Sequence, residues 1–185
     1  YRKDFSNFCK SAFKLIGNET VFTTAEKSIS DFCQFWSGSQ LPKIDLCREL
    51  AEAIKNEMEY KIGETDVKTT AEQSFRKKKG VCQDFAHILI SAARFNNLPA
   101  RYINGFLLEE TASGENTTHA WVEIFINDLG WIAFDPSHKK CIDDKYIRIS
   151  TGFDFEDAST IKGVKTNYNG KEFLNTKLLF FEDDI

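Results

Sequence analysis

Cys82 sits in the stretch GVCQDFAH, just after a glycine and at the start of an apolar pattern with helical spacing. A side chain in the first turn of a helix meets unpaired backbone N–H groups and the positive end of the macrodipole, both of which favour a thiolate. An unassisted thiol is mostly protonated at neutral pH, so a nucleophilic role also calls for a base. The chain has three histidines. His87 lies on the same helical pattern, five residues after Cys82, which turns it about 140° away at 100° per residue; its expected role is a structural hydrogen bond. His138, in the polar loop DPSHKK, is expected at the surface. His119 opens the strand-like HAWVEIF directly after the loop ASGENTT, where a scaffold presents functional side chains. Asp135 ends the next strand-like run, WIAFDP. An antiparallel hairpin would bring His119 and Asp135 together at its open end. The acid could then hold one imidazole nitrogen while the other faces Cys82. Before proline, a strand-end aspartate is also a common turn former.

These residues need a helix and a hairpin to position them, and the hydrophobic period supplies both. Phe5, Phe8, Cys9, Ala12, Phe13 and Ile16 recur at helical spacing. So do Ile29, Phe32, Cys33 and Trp36, until Gly38 and Pro42 break the pattern. Leu46, Leu50, Ala53, Ile54 and Met58 give a third helix, with Asp45 as its expected cap. Cys9, Cys33 and Cys47 fall on these core faces as small apolar residues. In TTAEQSFRKKKG, Thr69 or Thr70 can cap, with Glu72 or Gln73 closing a capping box. The run Arg76 to Lys79 suits the negative end of that helix, and Gly80 is expected as its left-handed stop. Phe85, Ile88, Leu89, Ala92 and Phe95 then define the Cys82 helix, closed by Asn96, Asn97 and Pro99. From Arg101 the period changes to strands: RYINGFLL, HAWVEIFI, GWIAFD and YIRIS, with the turn NDLG between the second and third. Residues 151–176 are expected as loop, and Leu178 to Phe181 as a last strand. The fold class is α+β, one domain with a helical lead-in over 1–57 and a core over 58–185.

Composition sets the outer limits. A chain of 185 residues that is 42% hydrophobic and 28% charged can bury a sizeable core. The net charge of −4 offers no general attraction to nucleic acid or acidic membranes. No apolar run approaches the roughly 20 residues a membrane helix needs. Five cysteines without a close C-x-x-C pair fit neither a disulfide framework nor a zinc ribbon. A reducing, cytoplasmic setting is therefore expected. The chain begins at Tyr1, which suggests a piece of a longer protein. Oligomeric state is left open.

GVCQDFAH, LPARYINGFL, HAWVEIF and GWIAFDPS resemble the signature blocks of the transglutaminase-like superfamily of bacterial thiol enzymes, in order and in approximate spacing. EYKIGETDVKTTAEQSFRKKKG resembles the segment that leads into the family's cysteine, and YIRISTGFDFEDAS the one that follows its aspartate. The resemblance covers roughly residues 58–180. It implies a papain-like core, with the nucleophile helix packed on an antiparallel sheet. It also implies that Cys82 is the nucleophile, His119 the base and Asp135 the orienting acid, with no metal or cofactor required. The chain departs from the pattern at Phe153, where the family often has arginine, and at Ala158-Ser159-Thr160, where a proline-rich piece is usual. Those positions bear on substrate contacts. Many relatives carry an N-terminal β-rich segment not found in this sequence.

The implied activity is acyl transfer through a cysteine thioester on a peptide or protein substrate. Relatives outside animals are described chiefly as candidate cysteine proteases, which favours hydrolysis over protein-glutamine transamidation. The Cys82 backbone N–H is the natural first oxyanion donor; Gln83, Tyr60 and the tryptophans are alternatives for the second. Trp121 and Trp131 are expected in the core. Two other classes stay open. A non-catalytic peptide-binding module would have no need to keep Cys82, His119 and Asp135 together. A transition-metal site on Cys82, His119 and Asp135 or His138 is not demanded by the spacing.

Overall fold

The computed structural model describes residues 19–108, 117–138 and 142–160, together with Ala12 and Leu15. The expected first helix, apart from those two residues, and the expected strand at 178–181 lie outside the described residues. Helix α1 (Lys27–Cys33) runs into a 3₁₀ turn (Gln34–Trp36) and is followed by α2 (Lys43–Glu57). A two-residue strand β1 (Glu59–Tyr60), α3 (Ala71–Lys77), a second two-residue strand β2 (Lys79–Gly80) and α4 (Cys82–Phe95) come next. The second half holds β3 (Ala100–Leu107), β4 (Thr117–Ile126), β5 (Gly130–Phe134), β6 (Tyr146–Gly152) and a short α5 (Phe155–Ala158). The expected order of helices first and sheet second is what the chain adopts, as an α+β fold.

Helix α4 is the centre of the molecule. Every residue from Asp84 to Arg94 is buried, because β3 and β4 cover one side while α1, α2 and α3 cover the other. A single apolar stripe would not serve such a helix. Ala86, Ile90 and Ala93 are accordingly as buried as Phe85, Ile88, Leu89 and Ala92 on the anticipated face. Each fully buried Ile, Leu or Phe contributes about 1.5–3 kcal/mol, so this helix is firmly seated. Two of its buried polar groups tie down the chain after β6, and one of them also holds the start of β3. His87 Nε2 accepts the Phe155 N–H at 3.1 Å, and Arg94 donates to the Phe153 and Ala100 carbonyls at 3.0 Å each.

The lead-in helices are fixed by caps that only partly match expectation. Thr70 and Gln73 form the capping box of α3. Glu72 instead reaches α1, accepting the Ser28 and Ile29 N–H groups at 2.9 and 3.1 Å, so one buried carboxylate holds two helices together. Pro42, not Asp45, occupies the N-cap position of α2, and Asp45 lies in its first turn. The left-handed stop of α3 is Lys78, with φ 56°. Gly80 belongs to β2, which pairs in parallel with β1 at Glu59↔Lys79 and Tyr60↔Gly80.

The sheet is antiparallel in the order β5-β4-β3-β6. Along β4, Ala120, Val122, Ile124 and Ile126 join the core beneath α4. Between them, Glu123 pairs with Arg101 of β3 and Arg148 of β6, as the two-residue period requires. The β4–β5 turn is Asn127-Asp128-Leu129, with Asp128 and Gly130 both at positive φ. The region expected as loop after Thr151 contains α5, capped by Asp154 at 2.8 Å.

The register between β3 and β6 shifts at Asn104/Gly105. A Cβ on Gly105 would lie 2.1 Å from the Ile147 carbonyl oxygen and 2.5 Å from the Trp121 ring. Gly105 is the register partner of His119, so this glycine lets Trp121 lie flat beneath the hairpin's functional end. Gly105→Ala is therefore expected to cost about 3 kcal/mol, the upper part of the overpacking range, seen as a lowered midpoint in urea unfolding.

Candidate active site

Cys82 is the first residue of α4 and is half-buried. Its entry into the helix is set by a buried acid. Asp84, in the third helical position, accepts the Val81 N–H at 2.8 Å and the Thr65 hydroxyl at 2.7 Å. Burial raises the Asp84 carboxyl above its ordinary value against the pull of those bonds. A Cβ on Gly80 would come within 2.6 Å of the Asp84 Cβ and Oδ2. Glycine is required there because the carboxylate occupies the space of a side chain, not because the backbone is left-handed.

His119 and Asp135 meet as the hairpin geometry anticipates. His119 Nε2 lies 2.7 Å from Asp135 Oδ2; a carboxylate can only accept, so Nε2 carries the proton. The other ring nitrogen is left for Cys82, whose side chain hydrogen-bonds His119. Burial disfavours the imidazolium, but the bonds and charges of Asp135 and Cys82 outweigh it and raise the His119 pKa to about 9. Asp135 is itself buried, which alone would raise its pKa. Bonds from His119, His138 and Ser137 nevertheless hold it well below the usual carboxylate range.

Two neighbours of Asp135 were not anticipated. His138, expected at the surface, is only partly exposed, and its Nδ1 lies 3.1 Å from Asp135 Oδ2. The Tyr146 hydroxyl donates to the same oxygen at 2.8 Å. Asp135 Oδ1 accepts the Ser137 N–H and hydroxyl at 2.8 and 2.7 Å and the His138 N–H at 3.2 Å. The sequence did carry a signal for Ser137 and His138, since the N–H groups two and three residues after an aspartate are the usual partners of its side chain in a turn. Tyr146, eleven residues away across a strand, had none.

Tyr60 is the other residue at the thiol. Its phenol hydrogen-bonds both the backbone and the side chain of Cys82, and burial, followed by the charge of Cys82, raises its pKa. The β1–β2 pairing puts it there, because Tyr60 pairs with Gly80, two residues before Cys82. Trp121 is buried, as expected, but it also stacks on His119 at 6.1 Å between ring centroids. Trp131 is half-buried and stacks against the Arg101 guanidinium at 4.0 Å. Burial pushes the Cys33 and Cys47 thiols up to about 12 and the His87 imidazole down to about 4, so these three are scaffold. Cys9 and Cys141 lie outside the described residues.

His119, Asp135 and His138 also present ligand atoms within 4.8 Å of one another. Tetrahedral zinc with bonds of 2.0–2.2 Å would hold its ligand atoms about 3.4 Å apart. Asp135 Oδ2 lies 2.7 and 3.1 Å from the two imidazole nitrogens, which is hydrogen-bond spacing. The cluster fits a proton network better than a metal cage.

The chain matches the sequence model of the Transglutaminase-like superfamily over residues 32–136, a span that includes Cys82, His119 and Asp135. The uncharacterized protein Rv2569c of Mycobacterium tuberculosis is 29% identical over 133 residues, or 66% of this chain and 42% of that protein. A Cytophaga hutchinsonii crystal structure titled a "Putative Cysteine Protease" superposes with a TM-score of 0.69 at 25% identity, over 80% of this chain and 49% of that one. The periplasmic domain of TgpA from Pseudomonas aeruginosa shares the fold, with a TM-score of 0.55 at 18% identity over 71% of this chain and 48% of that one. The chain thus spans less than half the length of each of these three proteins. No helix among the described residues is long and apolar enough to cross a membrane.

The His119 pair has a clear sign in pH. A histidine whose folded pKa is raised from 6.5 to about 9 contributes stability that is full below 6.5 and is lost as pH rises through about 9. Ring-proton NMR is expected to show His119 titrating near 9 in the unaltered protein. In Asp135→Asn, burial is opposed only by Cys82, so the midpoint should fall from about 9; an unchanged midpoint would remove Asp135 from this role.

Proposed function

Because the chain belongs to the transglutaminase-like superfamily, we propose that it is a thiol enzyme that cleaves peptide or amide bonds through an acyl-cysteine intermediate. The observation that carries this reading is the hydrogen-bonded line from Asp135 through His119 to Cys82, placed at a helix start.

In the first half-reaction His119 already holds the Cys82 proton as an ion pair, and the Sγ thiolate attacks the carbonyl carbon. The carbonyl π electrons move to oxygen. The Cys82 backbone N–H, which meets the Tyr60 oxygen in the resting site, donates to the resulting oxyanion at the helix start. The Tyr60 hydroxyl, held beside that N–H, is the second donor. Collapse of the adduct breaks the C–N bond as His119 protonates the departing amine, leaving a thioester on Cys82. In the second half-reaction His119 deprotonates water, hydroxide adds to the thioester, and the carboxylic acid leaves as the thiol is restored. Throughout, Asp135 fixes the imidazole's orientation and stabilises its cation.

Hydrolysis is the favoured outcome, supported by the name given to the Cytophaga hutchinsonii relative. An amine acceptor in place of water would make the same intermediate serve transamidation. On this reading the substrate is a peptide or protein.

Alkylation separates an activated thiol from an inert one. At neutral pH iodoacetamide is expected to modify Cys82 well ahead of Cys33 and Cys47, whose thiols burial holds near 12. His119→Ala should slow the Cys82 reaction by about 10²-fold or more, the lower end of what a positioned base contributes. Equal rates at all three cysteines would sink the proposal. A peptide screen with and without an added primary amine then assigns the acceptor.

A further inference from the structure

A groove of about 590 Å³ runs between α2 and β5, within the usual size of a ligand site. Ile44 and Ala51, with the charged Arg48, Glu52 and Lys55, form one wall, all four residues of 131–134 form the other, and Asp135 and His138 close one end. Successive residues of a strand point to opposite faces of its sheet. Ile132 and Phe134 pack towards the core, while Trp131 stacks with Phe125 and Arg101. A groove lined by both sets therefore lies along the strand's edge. Among the described residues β5 is an outer strand with β4 on one side only, and its other edge has no ladder partner there.

Neither Cys82 nor His119 lines the groove, but both walls come close to them. On the α2 side, the Lys55 ammonium sits 5.3 Å over the Phe85 ring, one turn after Cys82. The chain continues from α2 into Tyr60, which is hydrogen-bonded to Cys82. On the β5 side the strand runs directly into Asp135, and the His138 ring at the groove's end is 5.1 Å from the His119 ring. His119 is the group that protonates the departing amine, so the part of a substrate nearest this groove is the part that carries the amine.

We propose that the α2–β5 groove binds the amine-side segment of the substrate as an extended, apolar peptide, which adds to the edge of β5 as a further strand. Backbone pairing supplies affinity along the strand, and alternate side chains enter the apolar groove. The inference rests on Cys82 being the nucleophile. It deepens that reading by naming the substrate as an extended chain rather than a small amide.

The test uses one electrophile with and without a peptide on its amine side. Chloroacetyl-Val-Leu-Val-Leu-amide and chloroacetamide both alkylate a thiolate, with the C–S bond forming as chloride leaves. The peptide reagent is expected to label Cys82 at least about tenfold faster than chloroacetamide, a gain that one or two additional contacts supply. N-methylation of one alternating set of its amides should abolish the gain, and methylation of the other set should spare it. Ile132→Asp should remove the gain; the methylated reagents give the answer independently if that variant folds poorly. Equal rates for the two parent reagents, or a gain indifferent to which amides are methylated, would overturn the groove assignment. Chloroacetamide alone reports on the thiol: labelling of Cys82 no faster than of Cys33 and Cys47 would refute the nucleophile, whereas the ratio between reagents still decides the groove.

Discussion

The buried negative charge of Asp135 is the constraint on which the rest of the site depends. Its side chain has no exposed surface, and an isolated carboxylate would take up a proton in such a place. Six donors from four residues prevent that: His119, Tyr146 and His138 on Oδ2, and Ser137 twice and the His138 N–H on Oδ1. Those donors come from β4, from β6 and from the turn after β5, so the charge persists only when three parts of the sheet are in place. Its effect is then passed on. A carboxylate that must stay ionised holds His119 with Nε2–H towards it, and the imidazole's other nitrogen is thereby presented to Cys82.

A second buried carboxylate plays a matching part at the helix. Asp84 fixes the backbone at Val81, receives Thr65 from the loop before α3, and excludes any side chain from position 80. The β1–β2 pairing closes on Gly80 and puts Tyr60 against the thiol. Cys82 is thus positioned by elements on both sides of it in sequence. The all-round burial of α4 makes its first turn a rigid platform, despite the usual tendency of helix ends to fray.

Much of this was legible in the sequence, for physical reasons. Period 3.6 in residues 29–58 and 85–95 and period 2 from Arg101 onward follow directly from burial, so the helix-then-sheet order could be read. His119 and Asp135 could be paired because hairpin register is local, set by the short turn at 127–129. Where partners came from elsewhere in the chain, the signal failed. Two-residue strands have no period to detect, so β1 and β2 were invisible, and with them the reason Tyr60 reaches Cys82 ahead of Gln83 or the tryptophans. His138 looked like a surface residue because its loop is polar, yet that polarity is spent on Asp135. Gly80 was given a turn's role although Lys78 makes the turn and a side chain four residues on excludes a Cβ. Glu72 lay in a capping-box position, but it caps a helix more than forty residues earlier.

The line from Asp135 to Cys82 leaves one property of the enzyme undetermined, and the walls around it bear on that property. A triad selects neither its acyl group nor its acceptor, because the proton transfers are the same for water and for an amine. Selection must come from what can reach the thioester, and the groove proposed for the substrate, which ends at Asp135 and His138, is bounded by α2 and β5. An outer strand with an apolar groove beside it suits an extended chain better than a compact side-chain amide, because only an extended backbone can satisfy successive groups of that edge. On the proposed reading, the amine-side segment would be held by its backbone, leave after the C–N bond breaks, and open the same approach to water. For an amine to compete, it would have to occupy the groove as well as the departing peptide does. The proposed groove thus supports the hydrolytic reading on grounds independent of any relative's name, because it would hold the departing peptide as a further strand beside β5.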